Sequence, residues 1–160
     1  MNYFHSRLNH YLLQSPEKKS RKLKQLWKRA FSSNDNLKIS STDDILTLFA
    51  PYLIYQKQEE FKVVLLNSKN GVLNHQTVSL GSLNEALVHL RDVFRSAISF
   101  SAAPLILVHN HPSGDPTPSD EDIALTKHLC ICGKLLGIPI LDHIIIGFKG
   151  YTSLKKKGFI

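Results

Sequence analysis

The sequence predicts an α/β fold: a mixed sheet covered by helices. Two continuous apolar runs, "PLILV" (104–108) and "IPILDHIIIG" (138–147), are too uniformly apolar for surface strands and read as buried ones. Amphipathic stretches of helical period alternate with them. A third signal is "EEFKVVLLNSKNGVLNHQTVS", two strand-forming runs around Asn70-Gly71, which reads as a hairpin. Alternation of this kind is typical of a sheet with helices packed on it.

The elements follow in order. Residues 16–31, "PEKKSRKLKQLWKRAF", put Leu23, Leu26, Trp27 and Ala30 at helical spacing, ringed by Lys and Arg. This predicts a basic amphipathic helix. "SSNDN" (32–36) reads as a linker. Ser41 or Thr42 caps a short helix with Ile45, Leu48 and Phe49 on one face, which Pro51 is expected to end. Phe61 to Leu66 and Val72 to Val78 are the hairpin strands. "SLNE" (Ser82 to Glu85) is a capping box for a helix with Leu87, Leu90, Phe94, Ala97 and Ile98 inward. The buried strand 104–108 is expected to stop at His109. Ser119 opens a helix over 120–136, which Gly137 can terminate. "YTSLKKKGFI" supplies a last short strand and a tail.

The chain has 160 residues and an apolar share of 42%, enough for one domain with a proper core. The net charge of +7 is unevenly spread. Residues 1–40 hold nine Lys or Arg against two acids, and residues 41–160 hold eleven of each. The expected organisation is a basic helical segment (1–40) before a balanced globular body (41–160). No apolar run is long enough to be a transmembrane segment. Met1 to Leu13 lack the apolar core and small-residue cleavage site of a signal peptide. Cys130 and Cys132 are too close in sequence to bond readily to each other and suggest no disulfide framework. They read as helix residues packed inward. A cytoplasmic protein is the default expectation.

The densest chemistry lies in "HNHPSGDPTPSDED" (109–122). Two-residue spacing in extended chain points His109 and His111 to one face. Strand carboxyl ends are where open α/β sheets place ligands. Asp122, three positions after Ser119, sits in a first helical turn and can point back to the strand end. Two imidazoles and one carboxylate leave a fourth tetrahedral position open, the pattern of a catalytic zinc. "SDED" is equally a capping box, S-x-x-D, and the two roles can share one turn. Asp115 fits a turn residue better than a spare ligand.

The spacing His109-x-His111-Pro112, six residues, Ser119, two residues, Asp122 is similar to the JAMM (MPN-plus, JAB) metalloprotease signature. "LILVHNHPSGDPTPSDEDI", with "LDHIIIG", "QEEF" and "HLRDVFRSAI", resembles the RadC family within that superfamily over about residues 40–160. The resemblance implies a JAB/MPN fold, cytidine-deaminase-like, with αβα layers around the mixed sheet. It implies Zn²⁺ held by His109, His111 and Asp122, Ser119 donating to an oxyanion, and an upstream glutamate as general base. The first acid of "QEEF" holds that last place, hence Glu59; strand alternation puts it with Phe61 and Val63, and Glu60 opposite with Lys62. The activity implied is hydrolysis of an amide or isopeptide bond in a peptide or protein substrate.

Other residues carry weaker signals. His89 and Arg91 match a family motif in which Leu90 replaces the usual proline. Asp142 and His143 match a family "DH" pair and serve either the sheet or the site. His75 reads as a strand residue. The literal "HNH" does not suit an HNH nuclease, which spreads those residues along a ββα unit. A zinc deaminase needs His-x-Glu and Pro-Cys-x-x-Cys, which the chain lacks.

Two further readings compete with a hydrolase. RadC proteins carry a DNA-repair label and usually an N-terminal helix-hairpin-helix region, whose hairpins need glycine. The first glycine here is Gly71, so that region is missing or replaced. The basic segment 16–31 can instead bind DNA or an acidic partner non-specifically, lie on an anionic membrane surface, dock a partner through Leu23, Leu26 and Trp27, or pack on the body through Trp27. A JAMM-like scaffold that binds zinc without turnover is the third reading.

Overall fold

A computed structural model describes residues 37–81 and 88–160. The predicted basic helix and linker, and the capping box at Ser82 to Glu85, lie outside the described residues. The element order is α1 (Thr42–Leu53), β1 (Glu60–Leu66), β2 (Val72–Leu80), α2 (Leu90–Ser99), β3 (Leu105–Asn110), α3 (Asp120–Leu136), β4 (Ile140–Gly147) and β5 (Gly150–Ser153).

The five strands form one sheet in the order β2-β1-β3-β4-β5. β1 pairs antiparallel with both β2 and β3, β3 pairs parallel with β4, and β4 pairs antiparallel with β5. The parallel pair requires a crossover, and α3 supplies it. Alternation along the strands divides the core in two. Phe61, Val63, Leu65, Leu105 and Leu107 pack on one face with Val93, Phe94 and Ala97 of α2 and Leu125 and Leu129 of α3. Val64, Leu66, Ile106, Val108, Ile144 and Ile146 pack on the other with Ile45, Leu46, Phe49 and Leu53 of α1. The result is an αβα arrangement around a mixed sheet, the predicted fold class.

Local chemistry sets the ends. Ser41 accepts from the Asp44 N–H while Asp44 Oδ2 accepts from the Ser41 N–H at 2.8 Å, a reciprocal cap. Such a cap contributes about 1 kcal/mol. Pro51 does not end α1; it lies within the last turn, which closes when the Ile54 N–H reaches the Ala50 carbonyl. So near the end, the missing proline N–H forfeits only one ladder bond. The hairpin turn is wider than Asn70-Gly71. Asn70 adopts φ 60°, and the Asn67 side chain accepts from both the Lys69 and Gly71 N–H groups. Gly137 ends α3 in the left-handed conformation, φ 71°.

Three further expectations are corrected. α2 begins only after His89, its N-cap, so no continuous helix joins it to the residues before Val88. Ile98 of α2 faces solvent, because the inward stripe runs through Val93, Phe94 and Ala97. β3 does not stop at His109 but continues through Asn110, because β4 extends its ladder to pair Asn110 with Ile146. Cys130 and Cys132 are both free thiols on α3, half-buried. No described helix is long and apolar enough to cross a membrane.

Candidate metal centre

β3 delivers His109, fully buried, at the carboxyl end of the only parallel strand pair in the described sheet. His111 follows just beyond the strand, and the turn through Pro112–Pro118 leads into α3. There Ser119 is the N-cap and Asp122 the third helical residue. The reciprocal cap predicted from "SDED" forms. Asp122 N–H donates to Ser119 Oγ at 3.1 Å, and the Ser119 N–H donates back to Asp122 Oδ2 at 2.8 Å. The Ser119 hydroxyl also donates to Oδ2, at 2.8 Å.

That cap fixes the carboxylate beside the two rings. His109 Nε2 lies 3.0 Å from His111 Nε2 and 3.2 Å from Asp122 Oδ1; His111 Nε2 lies 3.3 Å from Asp122 Oδ2. The ligand atoms of all three residues fall within 4.8 Å of one another, so His109, His111 and Asp122 could hold a metal ion. Asp122 Oδ1 is buried and accepts no hydrogen bond from the described residues. His111 Nδ1 is within 2.8 Å of the Asp115 carbonyl, which can only accept. In the neutral ring this contact puts the proton on Nδ1 and leaves Nε2 bare. An orphaned carboxylate oxygen beside a bare imidazole nitrogen fits a cation.

The electrostatics agree. Burial pushes His109 below its ordinary value, and neither the hydrogen bond nor the charge of Asp122 reverses this. His111 is raised, first by the Asp122 hydrogen bond, against its own burial. Burial works to raise Asp122, but His109 and His111 beside its carboxylate, the charge of His109 and the Ser119 N–H hold it well below the usual carboxylate range. The carboxylate is therefore ionised throughout the neutral range.

Glu59 immediately precedes β1, whose next odd-numbered residue, Phe61, pairs with His109. Its charge reaches both histidines, favouring their protonated forms. Glu60 turns to the α1 side, where it accepts from the Tyr52 hydroxyl at 2.8 Å and pairs with Lys62 at 2.8 Å. Glu60 thus sits on the α1 face with Lys62, as alternation requires.

Asn110 and Thr126 were not singled out in the sequence, and the "DH" pair, left there between sheet and site, divides between the two. Asn110 lies between the histidines but points to the other face. Its Oδ1 accepts from the Glu60 N–H at 2.8 Å and its Nδ2 donates to the Gln58 carbonyl at 3.1 Å. It thereby clamps the backbone on both sides of Glu59. His143 packs at 2.8 Å from His109 Nδ1 and at 2.6 Å from Thr126 Oγ1. Phe61 stacks on His109 with ring centroids 5.9 Å apart and meets His143 edge-on. Asp142, the other half of the "DH" pair, serves the sheet. It accepts from the Ser153 hydroxyl at 2.7 Å and from the Lys155 N–H at 3.1 Å. His89 and Arg91 are exposed at the start of α2, and no described hydrogen bond or ion pair links either to the histidines.

Comparison with known proteins gives this arrangement a family. Residues 39–159 match the family model of the RadC-like JAB domain. The chain belongs to the RadC family. A UPF0758 protein of Methanosarcina mazei is 53% identical over 130 residues, 81% of this chain and 57% of the relative. One of Caldanaerobacter subterraneus subsp. tengcongensis is 49% identical over 128 residues, 80% of this chain and 55% of the relative. One of Clostridium botulinum (Eklund 17B) is 49% identical over 141 residues, 86% and 62%. The chain thus spans a little over half the length of these RadC relatives.

Proposed function

We propose that this RadC-family chain is a zinc-dependent hydrolase of amide or isopeptide bonds in a peptide or protein substrate. The observation that carries the reading is the meeting of His109 Nε2, His111 Nε2 and the Asp122 carboxylate, with the charge of Glu59 reaching both histidines. Two imidazoles and one carboxylate suit zinc and leave a coordination position open. When bound, the ion supplies a Lewis acid and brings the pKa of a water close to neutral.

The chain's own residues do the rest. Glu59 takes the proton of the attacking water and returns it to the leaving amine, the dual role of a general base and acid. The Ser119 hydroxyl turns from Asp122 Oδ2 toward the oxyanion that develops on the substrate carbonyl. Asp122 stays ionised and fixed by the cap, so the ligand set does not need to reorganise.

The test is metal content of the full chain by mass spectrometry, beside His111→Ala and Asp122→Ala. About one zinc per wild-type chain, lost in both variants, is the expected result. A wild-type chain that takes up no zinc after reconstitution would overturn the reading. A second, separable reading rests on the basic excess of residues 1–40: the segment binds DNA non-specifically. It requires DNA affinity that falls steeply with salt and disappears when those residues are deleted.

A further inference from the structure

We infer that Thr126 and His143 form a relay that fixes the tautomer of His109, turning its bare Nε2 toward the ligand cluster. They are positioning residues, and the inference deepens the metal reading above.

The order of protons follows from what each atom can do. Thr126 Oγ1 lies 2.6 Å from the Asp122 backbone carbonyl and 2.6 Å from His143 Nδ1. Two oxygens that close need a proton between them, and a carbonyl has none to give. The single hydroxyl proton of Thr126 therefore goes to the carbonyl. Thr126 can then only accept from His143, so His143 carries its proton on Nδ1. Among the described residues no carboxylate hydrogen-bonds to the His143 ring, since Asp142 accepts from His143 only through its backbone N–H, and the ring is fully buried, so the neutral form is favoured and its Nε2 is an acceptor. His109 Nδ1, 2.8 Å away, must donate to it. The proton of His109 is thereby committed to Nδ1, and Nε2 keeps its lone pair.

The circuit begins and ends on one residue. The Asp122 carbonyl anchors the relay, and the Asp122 carboxylate faces the nitrogen that the relay leaves bare. The sheet makes this geometry possible through an irregularity. Leu105 pairs with Ile140 but Ile106 pairs with Asp142, leaving Leu141 as an extra residue. Such a bulge re-aims the side chains that follow. Here it sets His143 opposite Leu107, on the α3 face, and Asp142 opposite Ile106.

The test uses the full chain, with and without zinc. Long-range proton–nitrogen NMR of the metal-free wild type reads the His109 tautomer directly; protonated Nδ1 is expected, and protonated Nε2 overturns the relay. Zinc affinity is then measured by chelator competition in Thr126→Val and Thr126→Ser. Loss of the hydroxyl should weaken zinc about 10–100-fold, the usual cost of removing an outer-shell partner, while serine restores affinity to within about 3-fold of wild type. A purely structural threonine would lower the melting temperature in Thr126→Val yet leave zinc affinity unchanged, and that result also overturns the relay. If the wild type binds no zinc, the metal reading fails and the NMR tautomer alone decides the relay. If Thr126→Val does not fold, the wild-type tautomer and the same NMR reading in Thr126→Ser decide it.

Discussion

Replacing Gly147 by alanine tests how the loop of Pro112–Pro118, which bears on the proposed metal site, is seated. Gly147 ends β4, and a Cβ there would lie 2.4 Å from the Gly114 carbonyl oxygen, 2.7 Å from its carbon and 3.1 Å from Pro116 N. All three are backbone atoms, so no side chain can swing aside. The loop must lift by about 1 Å to reach ordinary van der Waals separation. Overpacking of this kind costs about 1–3 kcal/mol. The lift also strains the bond from the Lys149 N–H to the Gly114 carbonyl, worth about 1 kcal/mol. Alanine recovers about 0.5–1 kcal/mol by restricting the unfolded chain. The net loss is about 2 kcal/mol, or about 4–8 °C in melting temperature for a chain of this size. The lifted loop carries the Asp115 carbonyl away from His111 Nδ1. Zinc affinity should therefore fall about 10-fold. Gly133→Ala is the control: its Cβ would lie 2.5 Å from the Ile138 carbonyl oxygen, at the opposite end of α3 from Asp122. It should lower the melting temperature without changing zinc affinity. Thermal and urea melts with chelator competition decide the matter. A Gly147→Ala protein that melts within about 1 °C of wild type, or an equal loss of affinity in Gly133→Ala, refutes the reasoning.

Other consequences are directly measurable. Glu59→Gln should retain zinc but lower any amide hydrolysis about 10²–10⁴-fold, and unchanged turnover would remove Glu59 as the base. Asn110→Ala leaves the Glu60 N–H and Gln58 carbonyl unpaired and should cost about 2 kcal/mol in urea unfolding; a cost near zero means the clamp on Glu59 is dispensable. His75 is held down to about 4 by burial, with the charge of Lys62 adding to it. The unfolded chain takes up that proton first, so stability falls as pH drops from about 6.5 toward 4, by about 1–2 kcal/mol after allowing for solvent at a half-buried ring. His75→Gln should flatten that part of the stability profile, and an unaltered slope assigns it elsewhere.

What was legible in the sequence depended on locality. His109, His111, Ser119 and Asp122 fall within fourteen residues, and one strand end and one helix start bring them together. Strand alternation alone put Glu60 on the face of Lys62, where the Tyr52 hydroxyl and Lys62 hold it. The relay was hidden for a definite reason. His143 reaches His109 across 34 residues, and strict alternation from Ile140 would place His143 on the opposite face. The bulge at Leu141 reverses that phase, and nothing in the local pattern of "IPILDHIIIG" announces it. Asn110 signals more faintly than the histidines on either side, yet a polar amide in a fully buried strand demands a partner. Pro51 misled because breaking strength depends on position, and one lost bond in a final turn is cheap.

Asp122 concentrates three demands in one residue. Its carboxylate closes the cap of α3, the same carboxylate faces both imidazoles, and its carbonyl anchors Thr126. The cap is worth about 1 kcal/mol, whereas a bound ion at a thousand times its dissociation constant adds about 4 kcal/mol. A bound ion would therefore stabilise the fold more than the cap does, but the cap would act first. It holds the carboxylate in place while the relay holds the ring, so neither group would have to be ordered by an arriving ion. A turn that looks like ordinary helix punctuation is therefore suited to preorganise a metal site, and capping and ligation would be one geometry here rather than rival readings of it.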